Sequence, residues 1–89
     1  MNSYLISYDL MAPNKDYSKL ISAIKEYGTY AKVLESCWIV KSSNTAKEIR
    51  DNLKNHIDAN DKLFVVKLAG VGAWYNLSDK VSEWLKDNL

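Results

Sequence analysis

One cysteine, one proline, three glycines and one histidine in 89 residues exclude several familiar chemistries at the outset. Cys37 has no second thiol to form an internal disulfide and no ligand-spaced partner. That fits a reducing compartment and argues against structural zinc. Cys37 reads instead as a small buried hydrophobe. His56 falls near a predicted helix carboxyl end, where it suits capping or packing better than proton transfer. The stretch "GVGAWY", 70 to 75, holds a lone Gly-x-Gly after the last predicted strand, which does not make a phosphate cradle. Trp74 and Tyr75 in the same stretch can stack on bases, but closing the core under the last helix is the simpler use of them. No apolar run approaches the ~18 residues of a membrane span, and the amino terminus lacks the basic-then-apolar layout of a secretion signal. The expected location is the cytoplasm, with no membrane contact. Neither charge sign dominates, since the formal net charge is +1. The chain therefore does not advertise a polyanionic partner by composition, and any nucleic-acid function must rest on local geometry.

Eighty-nine residues, 47% of them hydrophobic, make one compact domain, long enough for a real core but short enough that self-association would help bury surface. Residues 3 to 9 alternate, with Tyr4, Ile6 and Tyr8 on one face and Leu5, Ser7 and Asp9 on the other, as in a strand. A turn is expected at Ala12-Pro13-Asn14. From Asp16 the spacing of Tyr17, Leu20, Ile21, Ile24 and Tyr27 predicts a helix that Gly28 stops. Residues 29 to 41 are rich in β-branched and aromatic side chains and fit one long strand or two short ones bent near Glu35 and Ser36. Thr45 and Glu48 have capping-box spacing, with Asn44 an alternative cap, ahead of a helix whose apolar stripe is Ala46, Ile49, Leu53 and Ile57. A turn at 58 to 61 precedes the strand "KLFVVKL", 62 to 68. A third helix is expected from about Ser78, with Val81, Trp84, Leu85 and Leu89 along one side.

Strand, helix, strand or hairpin, helix, strand is the order of an α+β ferredoxin-like sandwich, an antiparallel sheet with two helices on one face. Here the core is 3 to 68 and residues 77 to 89 form a helical extension. Leu63 and Val65 on one side of the last strand, against Phe64, Val66 and Leu68 on the other, predict a strand covered twice. The second cover is either the third helix or a second subunit, which would make a two-fold dimer.

"YLISYDL", "ESCWIV" after a glycine-ended helix, and "HIDANDKLFVVKL" together resemble the CRISPR-associated small protein of the spacer-integration complex. They are also similar to the virulence-associated protein D ribonuclease core, and more so to the small bacterial proteins of the SinR family. The resemblance spans roughly residues 3 to 68. It implies a homodimer with facing sheets, in which the aspartate ending the first strand, here Asp9, approaches its symmetry mate and holds a divalent metal, Mg2+ with Mn2+ as substitute. The family's serine after the first helix corresponds to Ser36. The implied activity is a metal-dependent endonuclease, more an endoribonuclease than a deoxyribonuclease, of toxin or defence type. The alternative is a catalytically silent homodimer that scaffolds RNA, DNA or a protein partner such as an antitoxin or an integration complex. The family's usual tail is a further strand added to the partner, whereas "NLSDKVSEWLKDNL" reads as a helix.

On the residues alone, Asp9 has two readings: a ligand for a hard cation, which needs only one or two carboxylates beside substrate phosphate, or an organiser of the turn that follows it. Lys15, with Asn14 and Asp16, lies in that loop and can touch a phosphate, although a helix cap explains Asp16. Lys47, Arg50 and Lys54 line one side of the second helix and can track a nucleic-acid backbone. Glu48 and Asp51 interrupt that field, and a Lys47–Asp51 pair would make it an ordinary solvated face.

Overall fold

The structure, a computed structural model, describes residues 1–12 and 16–89. The turn expected at Ala12-Pro13-Asn14 and the candidate phosphate contact Lys15 therefore fall wholly or partly outside the described residues. The elements run β1 (Asn2–Asp9), α1 (Ser18–Lys25), β2 (Thr29–Leu34), β3 (Cys37–Ser42), α2 (Ala46–Leu53), β4 (Lys62–Lys67) and α3 (Asp79–Asn88), with a 3-10 turn at Lys54–His56. The strands form one sheet in the order β2-β3-β1-β4, with every neighbouring pair antiparallel. This is the ferredoxin-like α+β sandwich expected from the order of elements.

Residues 29 to 41 resolve into two strands that turn at Glu35 and Ser36, and a register irregularity between Lys32 and Leu34 bends β2 into the turn. α1 starts two residues later than expected, because the Asp16 carboxylate accepts the Ser18 N–H at 2.8 Å and holds the preceding chain out of the helix. Gly28 adopts φ +88°, the left-handed conformation that lets the chain leave α1 for β2 without a Cβ clash. Thr45, not Asn44, caps α2. Its hydroxyl accepts from Glu48 N–H at 3.1 Å while the Glu48 carboxylate accepts from Thr45 N–H at 2.9 Å, which satisfies two otherwise unpaired donors. α2 ends at Leu53, so Ile57 packs on the core from extended backbone rather than from the helix.

Tyr4, Ile6 and Tyr8 of β1 and Trp38 and Val40 of β3 form the floor of the main core, with Leu20, Ala23 and Ile24 of α1 and Ile49 and Leu53 of α2 above it. Each of the aliphatic isoleucine, leucine and valine side chains contributes about 1.5–3 kcal/mol on burial. The polar tips inside are paired, since the Trp38 indole N–H donates to the Tyr8 hydroxyl at 3.1 Å.

The second face of the sheet is only half covered, and the cover is α3. Leu85 is buried with Ala31 of β2 and Ile39 of β3, while Val81 and Trp84 are half-buried. At the other end of the helix the Ser3 hydroxyl donates to the Asn88 carbonyl at 2.7 Å. Ser78 caps the helix by accepting from Val81 N–H. The segment leading into α3 does not do all that was expected of it. Trp74 tucks in and donates to the Ser82 hydroxyl at 3.1 Å, but Tyr75 is 92% exposed and closes nothing. Between this segment, α3 and the sheet lies an apolar cavity of about 440 Å³ that Cys37, Ile39 and Leu85 help line. Cys37 is half-buried there, and burial pushes its thiol up from the usual range, as expected of an unreactive small hydrophobe. Among the described residues no helix is long and apolar enough to cross a membrane.

Candidate functional site

The half of the second face that α3 leaves open is the half that carries Asp9. Residues paired across a sheet share a face, so Ser7 and Asp9 of β1 stand beside Phe64 and Lys62 of β4, their register partners. Asp9 is exposed, and Phe64 is 62% exposed despite its size. Ser7, Tyr8, Asp9, Lys62, Leu63 and Phe64 line a shallow depression of about 130 Å³.

The β2–β3 turn brings Ser36 to the same end. The Tyr8 N–H donates to the Ser36 carbonyl at 3.1 Å, which fixes the backbone of the serine one residue from Asp9. Glu35, exposed and just before Ser36, arrives with it, although the sequence reading assigned it only to the bend. Two groups at this end were thus invisible before pairing was known: Lys62, directly opposite Asp9, and Glu35. Both depend on strand register, which no local motif encodes.

The backbone behind Asp9 is held by another carboxylate. Asp61 accepts the Met11 N–H at 2.7 Å through one oxygen and the Asp58 N–H at 2.8 Å through the other, and the Tyr17 hydroxyl sits 3.0 Å from both. Desolvation, followed by the Asp61 carboxylate, holds the Tyr17 phenol above its ordinary ionisation range. One side chain thus ties the exit of β1, the start of α1 and the turn before β4. Asp61, from the turn before β4, organises the backbone at the exit of β1.

The basic side chains of α2 are not brought to Asp9. α2 packs on the face that holds Tyr4, Ile6 and Tyr8, opposite the face that Asp9 occupies. Lys47, Arg50 and Lys54 are exposed on its outer side, and the expected Lys47–Asp51 pair is replaced by two others. The Arg50 guanidinium contacts Asp51 at 2.7 Å and Lys54 lies 4.0 Å from it, because Arg50 is adjacent and Lys54 is one turn on. Arg50 holds the Asp51 carboxyl below the usual carboxylate range.

The donor set suits a hard cation in kind but not in number. Asp9 supplies carboxylate oxygens and Ser7, on the same face, a hydroxyl, whereas Ser36 is held at this end only through its carbonyl and Lys62 opposite Asp9 opposes positive charge. Among the described residues no three histidine, cysteine or acidic side chains form a metal-holding group. A cation site at Asp9 would need oxygen ligands from outside the chain.

No family model matches the sequence. Among solved structures the chain is similar to the crystal structure of a hypothetical protein, TT1823, from Thermus thermophilus, with a TM-score of 0.65 and 22% sequence identity over 86% of this chain and 94% of that one. At that identity the likeness concerns the fold, and it agrees with a ferredoxin-like α+β sandwich.

Proposed function

We propose that the chain works as a homodimer joined through the open half of its second sheet face, and that it is a divalent-metal-dependent endoribonuclease of the toxin or defence type. The observation that carries the reading is that an exposed carboxylate, Asp9, and an exposed phenylalanine, Phe64, lie on the same face of neighbouring strands, on the part of the sheet that α3 leaves open. A second copy packed on Phe64 would bury apolar surface and bring a second Asp9 near the first. The resemblance of "YLISYDL", "ESCWIV" and "HIDANDKLFVVKL" to the SinR and virulence-associated protein D group supports the same reading.

In such a pair the two Asp9 carboxylates would repel each other and be relieved by a cation, with Ser7 offering a hydroxyl at the rim and Ser36 on the adjoining turn. Asp9 of each copy would hold the cation, and magnesium, or manganese in its place, would supply Lewis-acid polarisation of a phosphodiester. Lys62 of each copy, beside Asp9, is placed to attract the phosphate that approaches. Lys47, Arg50 and Lys54, on the far face, serve in this reading as a solvated surface rather than as substrate contacts.

The second reading is the silent scaffold, and the Asp9–Lys62 register pairing favours it. A carboxylate opposite a lysine is already partly compensated and has less need of a metal. Asp9→Asn separates the two readings, because it keeps the size and removes the charge. Cleavage of single- and double-stranded RNA and DNA is compared for both proteins with magnesium, with manganese and with chelator. The nuclease reading expects wild-type cleavage, stopped by chelator and lowered about a hundredfold or more in the variant, with dimer mass unchanged. Chelator-resistant cleavage, or an equally active variant, rejects the metal site. No cleavage by wild type in any condition leaves the scaffold.

A further inference from the structure

The opposite edge of the sheet carries a second constellation that is apparent only from the folded arrangement. β2 is an edge strand, so its outer side has no strand beside it. Around that edge Lys25 from the end of α1, Tyr30 and Lys32 from β2, and Lys80 and Trp84 from α3 converge on a concavity of about 350 Å³, with Trp38 in its floor. The chain reaches this edge three times, because α1 feeds directly into β2 while α3 crosses behind it on the other face.

The chemistry of the lining is cations and aromatic rings. The three lysines are exposed, and among the described residues none has a carboxylate within 4.0 Å. Asp79 and Glu83 flank Lys80 on α3 and Glu26 follows Lys25, but none of the three lines the concavity, and Glu83 reaches instead to Lys86 at 4.0 Å. Two of the rings pack together, and the third comes from across the sheet edge. Tyr30 and Trp38 have centroids 5.9 Å apart at 50°, the Lys32 ammonium lies 6.0 Å from the Trp38 ring centre, and Trp84, half-buried on α3, lines the same concavity from the other face of the sheet. Trp38 itself is buried, which leaves Tyr30 and Trp84 as the rings a ligand can reach.

Stacking faces interleaved with unpaired ammonium groups match a polyanion with flat, unstacked rings. We propose that this edge concavity is a binding site for single-stranded nucleic acid, with bases stacked on Tyr30 and Trp84 and backbone phosphates on Lys25, Lys32 and Lys80. Its lining offers ring faces and point charges rather than amide or guanidinium groups for base edges, so binding is tolerant of sequence. Stacking and phosphate contact do not read the 2′-hydroxyl, so RNA and DNA single strands bind alike. A duplex keeps its bases stacked internally and gains only the charge. The site does not rest on the Asp9 reading. It lies at the other edge, two strand spacings or ~10 Å from β1, and needs no metal.

Fluorescence anisotropy with labelled oligouridine and oligothymidine of about 12 nucleotides, in chelator, tests the proposal. Wild type and Asp9→Asn are expected to bind both single strands equally and a duplex of the same length more weakly, with quenching of tryptophan emission. The triple variant Lys25→Gln, Lys32→Gln, Lys80→Gln, all at exposed positions, is expected to lose about tenfold or more in affinity and to flatten the salt dependence of log K by about 2. Tyr30→Leu and Trp84→Leu, each checked for native circular dichroism, are expected to lose about tenfold while keeping the wild-type salt slope. Absence of binding by wild type, a triple variant with unchanged affinity, or polyglutamate that binds as tightly as the oligonucleotides would overturn the assignment. The last result would mark an acidic protein surface as the partner. Binding that vanishes in Asp9→Asn would also overturn it, by moving the ligand to the other edge. Binding here together with no cleavage in the magnesium and manganese assays described above would sink the nuclease reading and leave this one standing.

Discussion

Single side chains at the Asp9 end of the sheet divide the work between holding and exposing. Asp61 holds, and an amide cannot replace it, because its two oxygens accept two different backbone N–H groups. In Asp61→Asn one of those donors meets an NH2 group, so the variant is expected to lose about 1–3 kcal/mol in urea unfolding while keeping its fold at low denaturant. Tyr17, donating to the same carboxylate, sets a pH limit. Its phenol ionises at higher pH in the folded chain than its ordinary value of 10.0. The contribution is therefore complete below that ordinary value and is lost as pH rises through the folded one. Urea midpoints should stay level up to about pH 10 and fall above it, and Tyr17→Phe should show a shallower alkaline fall. Asp9 was legible as a candidate because an apolar strand ending on a carboxylate is visible in the sequence. Asp61 was passed over as one more turn residue, since its role depends on an N–H fifty positions earlier in the chain. Lys62 and Glu35 were hidden for the same reason.

Among the elements, α3 shows where periodicity informs and where it stops. Its apolar side, Val81, Trp84 and Leu85, was readable from spacing, but what that side would cover was not, because a stripe does not name its partner. The packed helix reaches β2, β3 and the start of β1 and leaves the β4 side bare. Leu85 is its most buried side chain, so Leu85→Ala is expected to lower unfolding free energy by about 2–4 kcal/mol, toward the lower end if the adjoining cavity can relax. Removing residues 77 to 89 should expose Ile39 and Ala31 and lower the melting temperature outright, whatever happens to oligomeric state. A truncated chain with an unchanged melting curve would show that α3 contributes nothing to the sheet. The capping box of α2 was correctly placed because its two partners are three residues apart. The start of α1 was not, because the Asp16 carboxylate competes locally with helix propagation.

For the whole molecule the open strip is the decisive surface. If two copies meet there, light scattering should give twice the 10.2 kDa chain mass at micromolar concentration. Phe64→Glu should then return the protein to the single-chain mass while costing a lone chain no more than ~0.5 kcal/mol. A wild type that stays at 10.2 kDa across micromolar concentrations removes the shared Asp9 site along with the dimer. The ferredoxin-like order of elements was legible because each turn carries its own signal. The distribution of cover over the second face was not, because it is decided between elements far apart in the chain.

The strand order also sets a timetable for synthesis. β1 leaves the ribosome first but lies inside the sheet, between β3 and β4. Its second neighbour is encoded roughly 50 residues later, which at 5–20 residues per second is an interval of about 3–10 s. Through that interval one long side of an apolar strand has no native neighbour to hydrogen-bond, and the pairing that ends the wait is the most non-local in the sheet. A nascent chain stalled before residue 62 would therefore present an adhesive, half-paired Tyr4–Tyr8 segment. Trigger-type chaperones and quality-control proteases should recognise it more readily than a chain stalled after residue 68.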